Sequence, residues 1–236
     1  MDNTAHPLAE LTALGSRALA AAGHGDMVWG HLALRDDEGR GVWMKAPGWG
    51  LEEIRHDRVQ LVSWEGDVLV GAGAPHKEYP IHTEIMRARP EVGATVHTHA
   101  AAVNAFSALD VPLRPISHDA VLFAEHGLPR FTATASLVDS PGLGRSLARD
   151  LGAARACLMP QHGLVAAGPD VAHAVMTAVL LHRACALHLT ALAAGEIRDF
   201  TGHEESVEKA STVWAARQIE AGWRYWARQA GDGPGV

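Results

Sequence analysis

Cysteine is nearly absent. The 236 residues hold two, Cys157 and Cys185, far apart and without a C-x-x-C spacing, which excludes a disulfide framework and a thiolate zinc site and suits a reducing compartment. A basic excess is missing too: 20 Lys and Arg face 27 Asp and Glu, for a formal net charge of -7. That leaves no cationic stripe for a phosphate backbone and excludes nucleic acid as a natural partner. The opening residues MDNTAHPLAE lack the basic and apolar regions of an export signal. The richest apolar stretch, 172–194, is interrupted by His173, His182, Arg183 and His188, so neither export nor a membrane span is expected. No internal repeat is visible, and no low-complexity segment beyond the final GDGPGV. These absences point to a cytoplasmic protein whose partner is a small molecule.

What is present is apolar bulk and histidine. A hydrophobic content of 47% over this length suits one large compact domain, or at most two. Fifteen histidines are more than one site uses, so most must be ordinary surface or core residues.

Periodicity predicts interleaved helices and strands. Leu8, Leu11, Leu14, Ala18 and Leu19 recur at near-helical spacing, with Gly23 and Gly25 as a stop. HLALR (31–35) and VWMK (42–45) alternate as two strands, and RVQLVSW with DVLV forms a hairpin around 65–67. YPIHTEIMRAR (79–89) is a short helix with Pro80 in its first turn, and GATVHTH and AAVNAFSAL read as strand then helix. Residues 111–139 mix short apolar runs with Pro112, Pro115 and Pro129 and give no clear reading. Ser140 with Pro141 opens another helix, ACLMPQHGLVAAG reads as strand, tight turn, strand, and Asp170 caps a long buried helix to 194. The tail from Glu204 reads as one amphipathic helix carrying Trp214, Trp223, Tyr225 and Trp226. Hairpins too short for parallel crossovers imply an α/β fold, a three-layer α/β/α domain with a mixed, largely antiparallel central sheet. Residues 1–200 form the domain, and 201–236 a C-terminal helix packing on it or on a neighbouring subunit, with a flexible end.

The chemistry concentrates in ATVHTHAA (94–101). In a strand His97 and His99 point the same way, with Cα atoms about 6.6 Å apart, so their imidazoles can converge on one ion. A polar strand end explains a lone pair of histidines equally well. A third histidine, His162, heads a turn between two strands, with Gly163 allowing close backbone approach. Glu78 precedes a helix that could aim its carboxylate at the same place. Three imidazoles and a carboxylate make a sensible site for a hard-to-borderline cation, with room for a substrate oxygen.

Glu78 with YPIHTEIMRARPEVGATVHTHA, followed by PQHGLVAAG, resembles the class II aldolase/adducin family over roughly residues 8–195. The resemblance implies that His97, His99 and His162 ligate one divalent transition metal per chain, zinc, manganese, iron or cobalt. It implies that Glu78 is an acid/base and a possible fourth ligand, and that the chain assembles as a homotetramer with sites near subunit boundaries. Members acting on sugar phosphates carry small and hydroxyl residues that cradle phosphate. Here Gly30-His31-Leu32-Ala33, Ala46-Pro47-Gly48-Trp49 and Pro75-His76-Lys77 stand in those places. His31, Trp49, His76 and Lys77 suit a carboxylate on a flat or apolar substrate better than a phosphosugar. His118 stands where related aldolases place a proton-shuttling tyrosine. The pattern is closest to the decarboxylase branch acting on hydroxylated aromatic or heteroaromatic dicarboxylates, such as dihydroxyphthalate or hydroxypyridine-dicarboxylate. The alternatives are an aldolase on a non-phosphorylated hydroxy-keto acid and a metal-free, adducin-like assembly module.

Overall fold

A computed structural model of the chain describes residues 6–231. Helix α1 (Pro7–Leu19) runs into a π-helical turn, Ala20–His24, that ends where Gly23 takes a positive φ of 86°. Strands β1 (His31–Arg35), β2 (Gly41–Lys45), β3 (Val59–Ser63) and β4 (Val68–Val70) follow as a meander. Next come α2 (Tyr79–Ala88), β5 (Ala94–Thr98), α3 (Ala101–Ser107), the short α4 (His118–Val121) and α5 (Pro141–Leu151). The hairpin β6 (Ala156–Met159) and β7 (Gly163–Gly168) leads into α6 (Val171–Ala194), α7 (His203–Val213) and α8 (Ala216–Gln229).

The seven strands form one sheet in the order β4-β3-β2-β1-β5-β7-β6. Every strand pair is antiparallel. The mixed character expected from the sequence reduces to a single parallel bridge, Arg130 to Leu158, because no helix crosses between hydrogen-bonded neighbours in the right sense for a parallel pair. Period-2 alternation divides the core into two. Leu32, Leu34, Val96, Leu164 and Ala166 face α1, α3, α6 and α8, while Ala33, Met44, Val165 and Ala167 face α2 and α5. Each of the larger aliphatic side chains among them contributes about 1.5–3 kcal/mol by leaving water. Three layers result, helices on both faces of one sheet.

Helix starts follow the caps written in the chain. The Ser140 hydroxyl accepts from the Leu143 amide, and Asp170 from the His173 amide at 2.9 Å, with Pro141 at the first helical position. Helix α6 is long and apolar enough to cross a membrane by composition, yet it lies against β7, α3 and α8 as a core helix. The single tail helix expected from Glu204 onward is two. Trp214 leaves helical geometry at φ -114°, ψ 33°, and its indole donates to the His118 carbonyl at 2.6 Å, a tertiary bond that ends α7 and redirects the chain. Helix α8 then packs on α6 and α1, burying Ile219 and Trp223. The expected flexible end, 232–236, lies outside the described residues.

The β6–β7 turn fixes one corner of the site. Pro160 and Gln161, the latter at φ 64°, occupy its centre, as in a type II turn, and the His162 amide donates to Met159 at 3.0 Å. At Gly163 a Cβ would stand 2.4 Å from the Thr98 carbonyl and 2.9 Å from His99, so only glycine lets β7 close on the end of β5. Replacing Gly163 by Ala is expected to cost roughly 1–3 kcal/mol, the usual range for overpacking, whereas Gly142→Ala in α5, where a Cβ meets nothing within 4 Å, should gain about 0.4–1 kcal/mol. Urea unfolding of the two variants checks the opposite signs; a neutral Gly163→Ala would remove the close approach.

Candidate metal centre

Strand register brings the histidines together. His31 on β1 is the direct partner of His97 on β5, and His97 in turn pairs with Val165 on β7. Alternation turns His31, Thr95 and His97 toward α2, and His99, one residue past β5, follows the same face. The His97 Nδ1 lies 2.9 Å from the Leu164 carbonyl. A carbonyl only accepts, so Nδ1 carries the proton and Nε2 its lone pair. His99 is fixed likewise: its Nδ1 lies 2.8 Å from the Asp26 carboxylate, which the turn after α1 delivers. The two Nε2 atoms then stand 3.2 Å apart.

Glu78 closes the ring from the N-cap of α2. Its Oε1 accepts from the Val138 amide at 2.9 Å and lies 3.4 Å from His162 Nε2. Its Oε2 lies 3.7 Å from His97 Nε2 and 3.8 Å from His31 Nε2. Burial opposes ionisation of this carboxyl, but the facing imidazoles of His162, His31 and His97 prevail and hold it well below the usual carboxylate range. Burial holds His97 itself far below the ordinary imidazole value, neutral and with its lone pair available.

One ligand atom from each of Glu78, His97, His99 and His162 lies within 4.8 Å of all the others. Both ring nitrogens of His162 are buried without a hydrogen-bond partner among the described residues. Inward lone pairs at 3.2 Å repel one another, and buried imidazole nitrogens left unpaired are costly. A divalent cation answers both. Three nitrogens and one oxygen, with carboxylate and carbonyl groups behind two of the imidazoles, fit such an ion.

Beside the cluster opens a cleft of about 400 Å³, walled by Trp29, Pro47, Pro75 and Leu137, with His76, Lys77, Glu78 and His99 lining it. A wider groove of about 680 Å³ near Arg17, Met27 and Gln229 brings no comparable donor set together. Of the residues singled out in the sequence, His76 and exposed Lys77 line the cleft with Glu78. Burial and then the nearby Lys45 cation lower the His76 pKa to about 4. His31 is wholly buried behind Glu78, its Nδ1 2.6 Å from His82 Nε2. Trp49 turns aside, its ring 3.6 Å beneath the Arg58 guanidinium, and Trp29 makes the aromatic wall instead. His118 sits exposed at the start of α4 and is not part of the cleft lining.

Sequence reasoning missed Asp26, Trp29 and His82. Lys45 is fully buried, with its ammonium donating to the Val28 and Trp49 carbonyls at 2.7 and 2.8 Å. Burial pushes its pKa down to about 8. Arg35 turns away from the cleft and donates to Met86, Arg89 and Val92 carbonyls at the end of α2.

Comparison with known proteins places this geometry. The family model described as Class II Aldolase and Adducin N-terminal domain matches residues 10–189. A 3,4-dihydroxyphthalate decarboxylase of Arthrobacter keyseri is 30% identical over 199 residues, 79% of each chain. The decarboxylase NovR of Streptomyces niveus is 38% identical over 144 residues, 61% of this chain and 51% of its own. The solved L-fuculose 1-phosphate aldolase of Glaciozyma antarctica superposes with a TM-score of 0.83 at 25% identity, covering 94% of this chain and 88% of that one. These relatives are lyases, and the chain is an enzyme of that group. The match over most of its length, on a fold and a histidine cluster of this kind, shows that the chain belongs to the class II aldolase and adducin N-terminal domain family.

Proposed function

We propose that the chain is a divalent-metal-dependent decarboxylase of hydroxylated aromatic or heteroaromatic dicarboxylates, working in the cytoplasm. The convergence of Glu78, His97, His99 and His162 beside a flat-walled cleft carries this reading, and the two decarboxylase relatives support it. A cation held by the three histidines supplies Lewis-acid neutralisation of charge building on neighbouring substrate oxygens, an effect of several kcal/mol. Zinc, manganese, iron and cobalt all suit three imidazoles and a carboxylate.

The remaining groups bind and move protons. Trp29, Pro47 and Leu137 wall a planar ring, and Lys77 and His76 supply positive or donating groups for a second carboxylate. His31, enclosed behind Glu78, acts on that carboxylate rather than on substrate. Glu78 is the proton carrier. His118 takes part only if a neighbouring copy brings it to the cleft, which fits a homotetramer in which Tyr225 and Phe200, 47% and 46% exposed, meet other subunits. A second reading, an aldolase on a non-phosphorylated hydroxy-keto acid, has the aldolase structural relative in its favour and uses the same donors.

Elemental analysis of untagged protein purified without chelators is expected to find about one tightly held transition metal per chain, lost in a His97→Ala/His99→Ala variant, since removing two of three imidazoles leaves too few ligands. Metal-loaded protein should then release carbon dioxide from 3,4-dihydroxyphthalate or a related hydroxy-dicarboxylate. Release of an aldehyde from a hydroxy-keto acid without carbon dioxide would select the aldolase, and protein that binds no zinc or manganese would leave only the assembly module.

Glu78→Gln should lower turnover roughly 10²- to 10⁴-fold, the typical weight of a positioned acid/base, while the protein still folds and binds metal. His118→Phe should lower turnover with metal content intact if a neighbouring copy supplies this residue; unchanged turnover removes His118 from the reaction.

A further inference from the structure

Glu78 has a second set of neighbours besides the three histidines of the first cluster. Ligand atoms of His31, His76 and Glu78 also lie within 4.8 Å of one another. His31 is 0% exposed, and its Nε2 has no hydrogen-bond partner among the described residues. That nitrogen faces Glu78 Oε2 across 3.8 Å, too far for a hydrogen bond. Two ligand atoms on one tetrahedral zinc stand about 3.4 Å apart, so a small inward shift brings these two to that spacing.

The ring behind this nitrogen is held as a ligating histidine is held. His31 Nδ1 lies 2.6 Å from His82 Nε2, and His82 Nδ1 lies 2.6 Å from the Thr95 hydroxyl. The Thr95 hydroxyl can donate or accept, and a cation at His31 Nε2 selects the relay in which it accepts, with the protons on both Nδ1 atoms and the His31 Nε2 lone pair free for the ion. This repeats what Leu164 does for His97 and Asp26 for His99. Glu78 Oε1 faces His162, and Oε2 stands between His31 and His97, 3.8 and 3.7 Å from their Nε2 atoms. The His31 and His97 ring centroids are 5.0 Å apart, and those of His31 and His76 are 4.1 Å apart.

We propose that His31, His76 and Glu78 form a second divalent-cation seat that shares Glu78 with the seat made by His97, His99 and His162; with both ions bound Glu78 is a ligand, and the proton carriage assigned to it belongs to the one-ion state. The idea rests on the metal reading of the first seat and extends it to a two-ion centre. Charge makes the second seat the weaker. Glu78 and Asp26 offset only two of four positive charges, and an oxyanion entering past His76 supplies the rest. The second ion is therefore taken up on titration, more tightly with a dianion present, rather than retained through purification.

Metal-free full-length protein titrated with Mn²⁺, alone and with phthalate as a dianionic probe, gives a direct count, because free Mn²⁺ has a distinctive electron paramagnetic resonance signal that disappears on binding. Two ions per chain with a spin-coupled spectrum are expected in the wild type at saturation. One uncoupled ion is expected in His76→Ala, and one in His31→Gln. The His76 change lies at the half-buried lip of the cleft, and its remaining ion reports that the first seat is intact. A single ion in the wild type under both conditions would overturn the second seat and leave the first. No bound ion would overturn both. Two ions persisting in His76→Ala and His31→Gln would put the second ion elsewhere, and loss of both ions from folded His76→Ala would merge the seats into one; either result overturns the proposal.

Discussion

Two imidazole lone pairs held 3.2 Å apart, on His97 and His99, are the constraint around which the domain is arranged. Nothing in the two side chains alone would keep them there, since they repel and rings rotate. The Leu164 carbonyl and the Asp26 carboxylate stop that rotation by each claiming one Nδ1 proton. Those partners are placed by the fold. The β5–β7 register sets Leu164 beside His97, and the π-helical turn after α1 carries the chain to Asp26. Glycine at 163 lets β7 approach within reach of Thr98, which brings His162 over the same point. Each buried unsatisfied nitrogen costs about 1–3 kcal/mol, so these donors oppose folding locally unless a ligand answers them. A bound cation turns that cost into a stabilising contribution that grows with its concentration.

Much of this was legible in the chain because it depends on short-range periodicity. The period of 2 puts His97 and His99 on one face, and strand, turn, strand places His162. The capping residues Ser140 and Asp170 mark helix starts that the structure retains. The illegible parts depend on contacts distant in sequence. Asp26 sits in a glycine-flanked loop with no period, and its role exists only because His99, 73 residues later, lies 2.8 Å away. The segment 111–139 shows no pattern, yet its Val138 amide holds Glu78 Oε1. Trp29 rather than Trp49 walls the cleft because Arg58 covers the latter, a contact that composition cannot indicate. The break between α7 and α8 has the same origin, one indole bond to the His118 carbonyl.

On the proposed reading, the cleft wall suits a sugar phosphate poorly. A phosphate needs several converging donors, and the positions that would supply them here are apolar or already engaged. Lys45 spends two of its three donors on backbone carbonyls, and the first nitrogen of His31 is bound to His82. What remains in the cleft is an exposed Lys77 and the ring of His76, with Trp29 in the same wall. That is enough for a carboxylate on a planar ring.

The ionisation state of Glu78 decides how a proton can move. A carboxyl held well below its ordinary range is ionised at rest, has no proton to give, and as a weak base takes one only from a strongly acidified donor. Decarboxylation nevertheless requires one, since the ring carbon that loses carbon dioxide must be protonated. On the proposed reading both needs are met by the substrate. A cation held by the histidines would acidify the phenolic hydroxyl, whose proton would then pass to Glu78, and after the carbon–carbon bond to the carboxylate breaks Glu78 would return it to the ring carbon. The phenolate regains a proton from water on release, so the balance is one proton taken up for each carbon dioxide formed. On the same reading a substrate without the hydroxyl beside its carboxylate would leave Glu78 without a proton to deliver.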